Sequence, residues 1–214
     1  LNAALNRNQD NDVRDDALVL LDTILLWFMS AFDIAARVAN RTLGLNVKDR
    51  NAGWQNPQWL DKLEEKCPAL AAIMGPDTTG RHVLTIVRLL RNSVHGAALQ
   101  GAAYFNNNGP QRTIVGLPAE DEPELLLAMD AEGGRDRWGV LLEIPEHRVQ
   151  LDPGVFVAKA FRSVVPLLNE LMDATPVEKL PHVDVSAPEP VPLGPVSNPF
   201  SPEIGQSIRW QLGL

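Results

Sequence analysis

The sequence predicts a mainly α-helical protein with a small antiparallel β-meander inserted between helices and an extended, proline-rich C-terminal tail. Three observations carry this. Apolar residues recur at helical spacing over most of the chain before about residue 101, and again from Asp152 to Asp173. Between those stretches the texture breaks into short apolar runs separated by turn clusters. From Pro176 to Pro202 the chain holds eight prolines, a composition suited to polyproline-like backbone with no core of its own. The expected organisation is one helical domain over residues 1–175, with the β-insert at about 102–151. A tail follows over 176–214, with a terminal segment that docks through Phe200, Ile204, Ile208, Trp210 and Leu212 on its own body or on a neighbouring subunit.

Residues 1–11 are Asn-rich and read as a loose lead-in. Asp12 or Asp15 suits the cap of a first helix that runs to about Leu43 and stops at Gly44. Asn56 suits the N-cap of a second helix, Gln58 to Cys67, with Pro57 in its first turn. Pro68 to Met74 reads as a short helical turn ended by Gly75-Pro76. Asp77, Thr78 or Thr79 would cap a third helix from Arg81 to about Leu99. Ala102–Phe105, Thr113–Leu117, Trp138–Glu143 and Arg148–Leu151 read as strands, with turns at Asn106–Pro110 and at Gly133-Gly134. Glu124–Met129 fits either a strand or a helix, because Leu-Leu-Leu-Ala is also a good helix former. Asp152-Pro153-Gly154 opens a last helix to about Asp173, which Pro166 is expected to kink.

Bulk properties exclude several classes. With 45% apolar residues in 214, the chain can bury a sizeable core. Its single cysteine, Cys67, rules out an internal disulfide framework and a multi-cysteine zinc site, and fits a reducing, cytoplasmic setting. Leu1 to Asp16 is polar and has no signal-peptide core. A first residue other than Met is expected of a trimmed chain or a piece of a longer one. Ala17–Ala39 is the most apolar stretch, yet Asp22, Asp33 and Arg37 lie within it, so a long core helix is expected and not a membrane span.

A net charge of −8 argues against a general nucleic-acid coat. The charge is uneven, however. Thr78 to Ala119 contains no Asp, Glu or Lys but holds Arg81, Arg88, Arg91, Arg112, His82 and His95, which leaves 15 basic against 27 acidic residues elsewhere. Such a window permits a locally positive site in an acidic protein.

The third helix carries the chemistry in the run Arg88-Leu-Leu-Arg91-Asn92-Ser93-Val94-His95-Gly96. At helical spacing, Arg81, Thr85, Arg88, Arg91, Asn92 and His95 share an arc of about 120°, opposite Val83, Ile86, Val87, Leu90, Val94 and Ala97. A histidine titrating near neutrality can take or give a proton, a guanidinium can grip a phosphate through two hydrogen bonds, and Asn92 can orient either. Clustered arginines would lower the histidine pKa and so suit a general base. These parts suffice for metal-free cleavage of RNA with the ribose 2′-hydroxyl as nucleophile. A plain solvated helix face pairing with acids elsewhere is the alternative.

Arg91-Asn92-Ser93-Val94-His95-Gly96, late on a helix of a mostly helical chain, resembles the signature of the HEPN superfamily, a helical bundle with an Arg-x(4–6)-His motif in which a polar residue such as Asn usually follows the Arg. Three residues separate Arg91 from His95 and six separate Arg88 from it. The resemblance covers roughly residues 12–101 and 152–173. It implies a HEPN-like bundle, a homodimer whose two motifs form one composite site, and a candidate metal-independent endoribonuclease of a toxin–antitoxin or phage-defence kind, without cofactor. On it, the catalytic candidates are His95, Arg91, Arg88 and Asn92. Arg81, His82 and Arg112 are candidates for RNA binding, and the tail is a candidate surface for a protein partner. A non-catalytic HEPN-like dimerisation or interaction module is the alternative, and an enzyme acting on small molecules is a third reading.

Other features carry less. His82, His147 and His182 lack metal-ligand spacing with each other or with Cys67. No nucleophile elbow, phosphate loop or dinucleotide fingerprint is present. Glu64-Glu65 and Glu120-Asp121-Glu122 read as solvated acids. Trp54 and Trp59, on either side of Pro57, read as a lid on the core, and Cys67 as a helix-end residue with no activating base.

Overall fold

The computed structural model describes residues 11–96, 100–104, 112–116, 122–141 and 150–180, with backbone alone at 11–15, 93–96, 100–104, 112–113 and 122. By its contacts the chain divides into two units, Leu1–Pro181 and His182–Leu214. The second unit, with the expected anchors Phe200, Ile204, Ile208, Trp210 and Leu212, lies outside the described residues.

The first unit is mainly helical with a small antiparallel sheet. Among the described residues six helices run α1 (Asn11–Thr42), α2 (Pro57–Lys66), α3 (Pro68–Ile73), α4 (Thr79–Gly96), α5 (Glu122–Ala131) and α6 (Pro153–Asp173). The strands are β1 (Gln100–Tyr104), β2 (Arg112–Gly116), β3 (Val140–Leu141) and β4 (Gln150–Leu151). Helix α4 is central and packs against α1, α3, α5 and α6. Its residues Val83, Leu84, Ile86, Val87, Leu89 and Leu90 are all buried, so the apolar surface wraps well past one face and confines the polar residues to a narrow strip.

Helix α1 buries a row at helical spacing, Ala17, Leu21, Leu25, Phe28, Phe32, Ala35, Ala36 and Ala39. Its segment Asp16–Thr42 is long and apolar enough to cross a membrane by length and composition, with a mean hydropathy of 1.9. Its outward side carries Val19, Leu26, Trp27 and Ile34 in the open, Trp27 at 66% exposure. Gly44, at φ +60°, ends the helix as expected, and the Leu45 amide reaches back to the Asn40 carbonyl (3.1 Å).

Helix α1 is already helical at Asn11, so Asp12 and Asp15 lie inside it and neither caps it; three later helix starts follow their caps. The Asn56 side chain accepts from the Gln58 amide (3.1 Å) ahead of Pro57. The Asp152 side chain accepts from the Gly154 and Val155 amides (2.9 and 3.0 Å) ahead of Pro153. The Thr78 hydroxyl caps α4 by accepting from the Arg81 amide (3.2 Å), while donating back toward Gly75 (2.8 Å).

The insert differs from a meander in two respects. The sheet order is β1-β2-β4-β3, every pair antiparallel, so the last strand lies between the second and third. The ambiguous Glu124–Met129 run belongs to helix α5, where Leu125, Ala128 and Met129 are buried and Leu127 points out, the i, i+3, i+4 pattern of a helix. Trp138 is fully buried in a turn before β3, against Phe156 of α6. The turn at Gly133-Gly134 has both glycines at positive φ, as expected of that pair.

Candidate functional site

The two tryptophans build one wall of the site. Trp54 and Trp59 pack edge to face in the core, 5.1 Å between ring centres. Their indole nitrogens find partners on α1: Trp54 donates to the Phe32 carbonyl (2.8 Å) and Trp59 to Asn40 Oδ1 (3.3 Å). Buried Asn40 in turn donates to the Val47 carbonyl (2.8 Å). Asn56 ties the loop to itself by donating to the Asn51 carbonyl (2.7 Å), and Arg81 Nη1 donates to the Trp54 carbonyl (2.9 Å). At the far end of the loop, Asp49 pairs with Arg41 of α1, which holds the Asp49 carboxyl below its ordinary range. The segment from Arg50 to Asn56 is thus fixed from below, and it faces α4 across a cleft.

That cleft encloses about 440 Å3. Arg88, Arg91 and Asn92 line it from α4, Asp33 from α1, and Arg50 and Gln55 from the loop, over a floor that includes Phe32 and Leu84. Arg91 donates to the neighbouring Asn92 Oδ1 (3.3 Å), while its Nε is buried without a hydrogen-bond partner among the described residues. Leaving such a donor unpaired costs on the order of 1–3 kcal/mol, which a bound acceptor would recover. Asp33 is exposed by surface area, but partial desolvation beside the cleft pushes its carboxyl above its ordinary pKa, and the charges of Arg37 and Arg91 oppose that rise.

Three of the four catalytic candidates therefore meet. His95 follows Arg91 by four residues within α4, about 6 Å along the axis. Its side chain lies outside the described residues.

The RNA-binding candidates are not in this cleft. Arg81 and His82 line a second hollow of about 470 Å3 on the other side of the polar strip, with Thr85, Asp77 and Glu124. Burial holds the Arg81 guanidinium below its ordinary pKa, and nearby Arg88 adds to the effect. His82 Nδ1 lies 3.1 Å from Glu132 Oε1, with both side chains mostly covered. Arg112 pairs by its backbone with Tyr104 at the edge of the β1–β2 ladder, and its side chain lies outside the described residues.

The acid-free window also meets acids in space. Glu124 of α5 reaches Arg88 Nη2 (2.9 Å), Glu132 reaches His82, and Asp33 faces Arg91. The cleft's positive charge is therefore smaller than the sequence window suggests. Sequence reasoning missed Asp33 as a cleft residue, and it missed Arg50 and Gln55 entirely. The signal for the latter two was the Trp54/Trp59 pair, which fixes the loop that carries them. Among the described residues no group of three or more His, Cys, Asp or Glu is placed to hold a metal ion. No protein-family model matches the chain, and no curated protein or solved structure matches it either.

Proposed function

We propose that the chain is a HEPN-like helical domain whose arginine-lined cleft cleaves RNA without a metal ion, as expected of a toxin or phage-defence endoribonuclease. The observation that carries this reading is the convergence of Arg88, Arg91 and Asn92 in one cleft, with a buried guanidinium donor that has no partner among the described residues. In this chemistry His95 removes the proton from a ribose 2′-hydroxyl, whose oxygen attacks the adjacent phosphorus. The bond from phosphorus to the 5′-oxygen breaks, giving a 2′,3′-cyclic phosphate and a 5′-hydroxyl that takes up a proton. Arg91 and Arg88 balance the charge that grows on the non-bridging oxygens. The Arg88–Glu124 pair does not prevent this. Its carboxylate end is more than half exposed, and exposed pairs are worth only about 0–1 kcal/mol, so a phosphate can displace it.

A homodimer is part of the proposal. The exposed row Val19, Leu26, Trp27 and Ile34 on α1 runs beside Met29 and Asp33, which line the cleft. A second copy seated on that row would bring two clefts together. A non-catalytic interaction module is the second reading. Glu124 and Asp33 favour it, since the chain's own carboxylates already face two of the three cleft arginines.

The test is purified protein with single-stranded RNA in excess EDTA, the product ends identified. The expected products carry 2′,3′-cyclic phosphate and 5′-hydroxyl ends. RNA left intact across many substrates would overturn the reading in favour of the interaction module.

A further inference from the structure

We infer that the Arg50–Asn56 loop completes a binding site for a single nucleotide, in which Arg50 is a further guanidinium on the phosphate and Gln55 contacts the base. The inference rests on the ribonuclease reading for the polymer that supplies the nucleotide, while the anion site stands on the cleft's own residues.

Size comes first. A volume of about 440 Å3 is far more than one phosphate needs and falls among small-ligand clefts, which run from about 300 to 1,000 Å3. Charge comes second. Arg50, Arg88 and Arg91 outnumber the two carboxylates that face them, Asp33 in the cleft and Glu124 on Arg88. An anion that can accept from several guanidiniums at once is favoured, and a phosphate ester is such an anion.

The side chains with donors to spare are the third point. Asn56 is committed at both ends, accepting from Gln58 and donating to Asn51, so it shapes the loop and is not free to read a ligand. Arg50 makes no ion pair or side-chain hydrogen bond among the described residues, and Arg91 Nε has no partner among them. Gln55 is exposed on the rim and carries both a donor and an acceptor, the pair that a base edge presents in return. The loop under Arg50 and Gln55 is held by the buried Trp54 indole and by Arg81, so neither residue has to order its backbone on binding.

The experiment is calorimetric titration of the full chain with adenosine 3′-monophosphate, inorganic phosphate and adenosine at low salt. Arg50→Ala, Gln55→Ala and the surface control Lys62→Ala are titrated alongside. The nucleotide is expected to bind more tightly than either part alone, and Arg50→Ala to weaken it at least tenfold, with Lys62→Ala unchanged. Gln55→Ala is expected to weaken adenosine 3′-monophosphate toward the affinity of inorganic phosphate while leaving inorganic phosphate unaffected. Equal affinity for phosphate and nucleotide would overturn the inference, and so would an Arg50→Ala titration matching wild type, even if RNA is cleaved. Arg50-dependent nucleotide binding in a protein that leaves RNA intact would overturn the ribonuclease reading and uphold the site.

Discussion

At the scale of single residues the cleft is a balance between three guanidiniums and the carboxylates of Asp33 and Glu124. Asp33 is the informative group, because partial desolvation raises its pKa despite the opposing charges of Arg37 and Arg91. Between the ordinary carboxylate pKa and the raised one, the folded chain binds more protons than the unfolded chain. Stability is therefore lost as pH rises through that window, and the penalty is complete above it. Asp33→Asn removes the penalty. Urea denaturation at pH 7 and at pH 4 should show a larger gain of the variant over wild type at pH 7 than at pH 4. A gain of equal size at both would mean that Asp33 titrates as an ordinary carboxylate. The residue scale is also where the sequence was least informative. Arg88, Arg91 and Asn92 were legible because a helix repeats every few residues. Arg50 and Gln55 were not, because they reach the cleft through a loop whose position depends on where Trp54 is buried. The acids Glu124 and Glu132 were equally hidden, since their pairing with Arg88 and His82 is set by how α5 packs on α4.

At the scale of elements the helices were the most legible part of the chain. Asn56-Pro57 and Asp152-Pro153-Gly154 state their caps locally, and the structure has those side chains capping the helices. The Thr78 cap was one of three neighbours the sequence left open, and the hydrogen bond to the Arg81 amide distinguishes it. The sheet order was not legible, because placing β4 between β2 and β3 depends on contacts far apart in sequence. The junction of α3 and α4 allows a sharper prediction. A Cβ on Gly80 would stand 2.3 Å from the Ile73 carbonyl oxygen and 2.8 Å from Met74 Sδ, whereas one on Gly53, in the cleft loop, meets nothing within 4 Å. Gly80→Ala must push α3 off α4, at a cost of about 1–3 kcal/mol. Gly53→Ala should be close to neutral. Thermal denaturation of the two variants beside wild type tests this, and a Gly80→Ala melting temperature equal to wild type would refute the packing described here.

At the scale of the whole molecule two faces matter, the cleft and the open apolar row of α1. The hydropathy of α1 was read from sequence as a core helix, and one side of it does carry the core. The other side was not legible, because composition counts Val19, Leu26, Trp27 and Ile34 as core-like while only the packing shows them in the open. If a second copy covers that row, light scattering should report a dimer for wild type and a monomer for Trp27→Glu, with the helical circular dichroism kept. A wild-type monomer, or a dimer untouched by the charge, would exclude α1 as the interface. The central claim is that α4 carries a metal-free ribonuclease site, and the most direct measurement compares wild type with His95→Ala on single-stranded RNA in excess EDTA. Wild type should cleave the RNA, and the variant should be slower by about 100-fold or more. Equal rates for the two proteins, or cleavage that stops when EDTA is added, would contradict it.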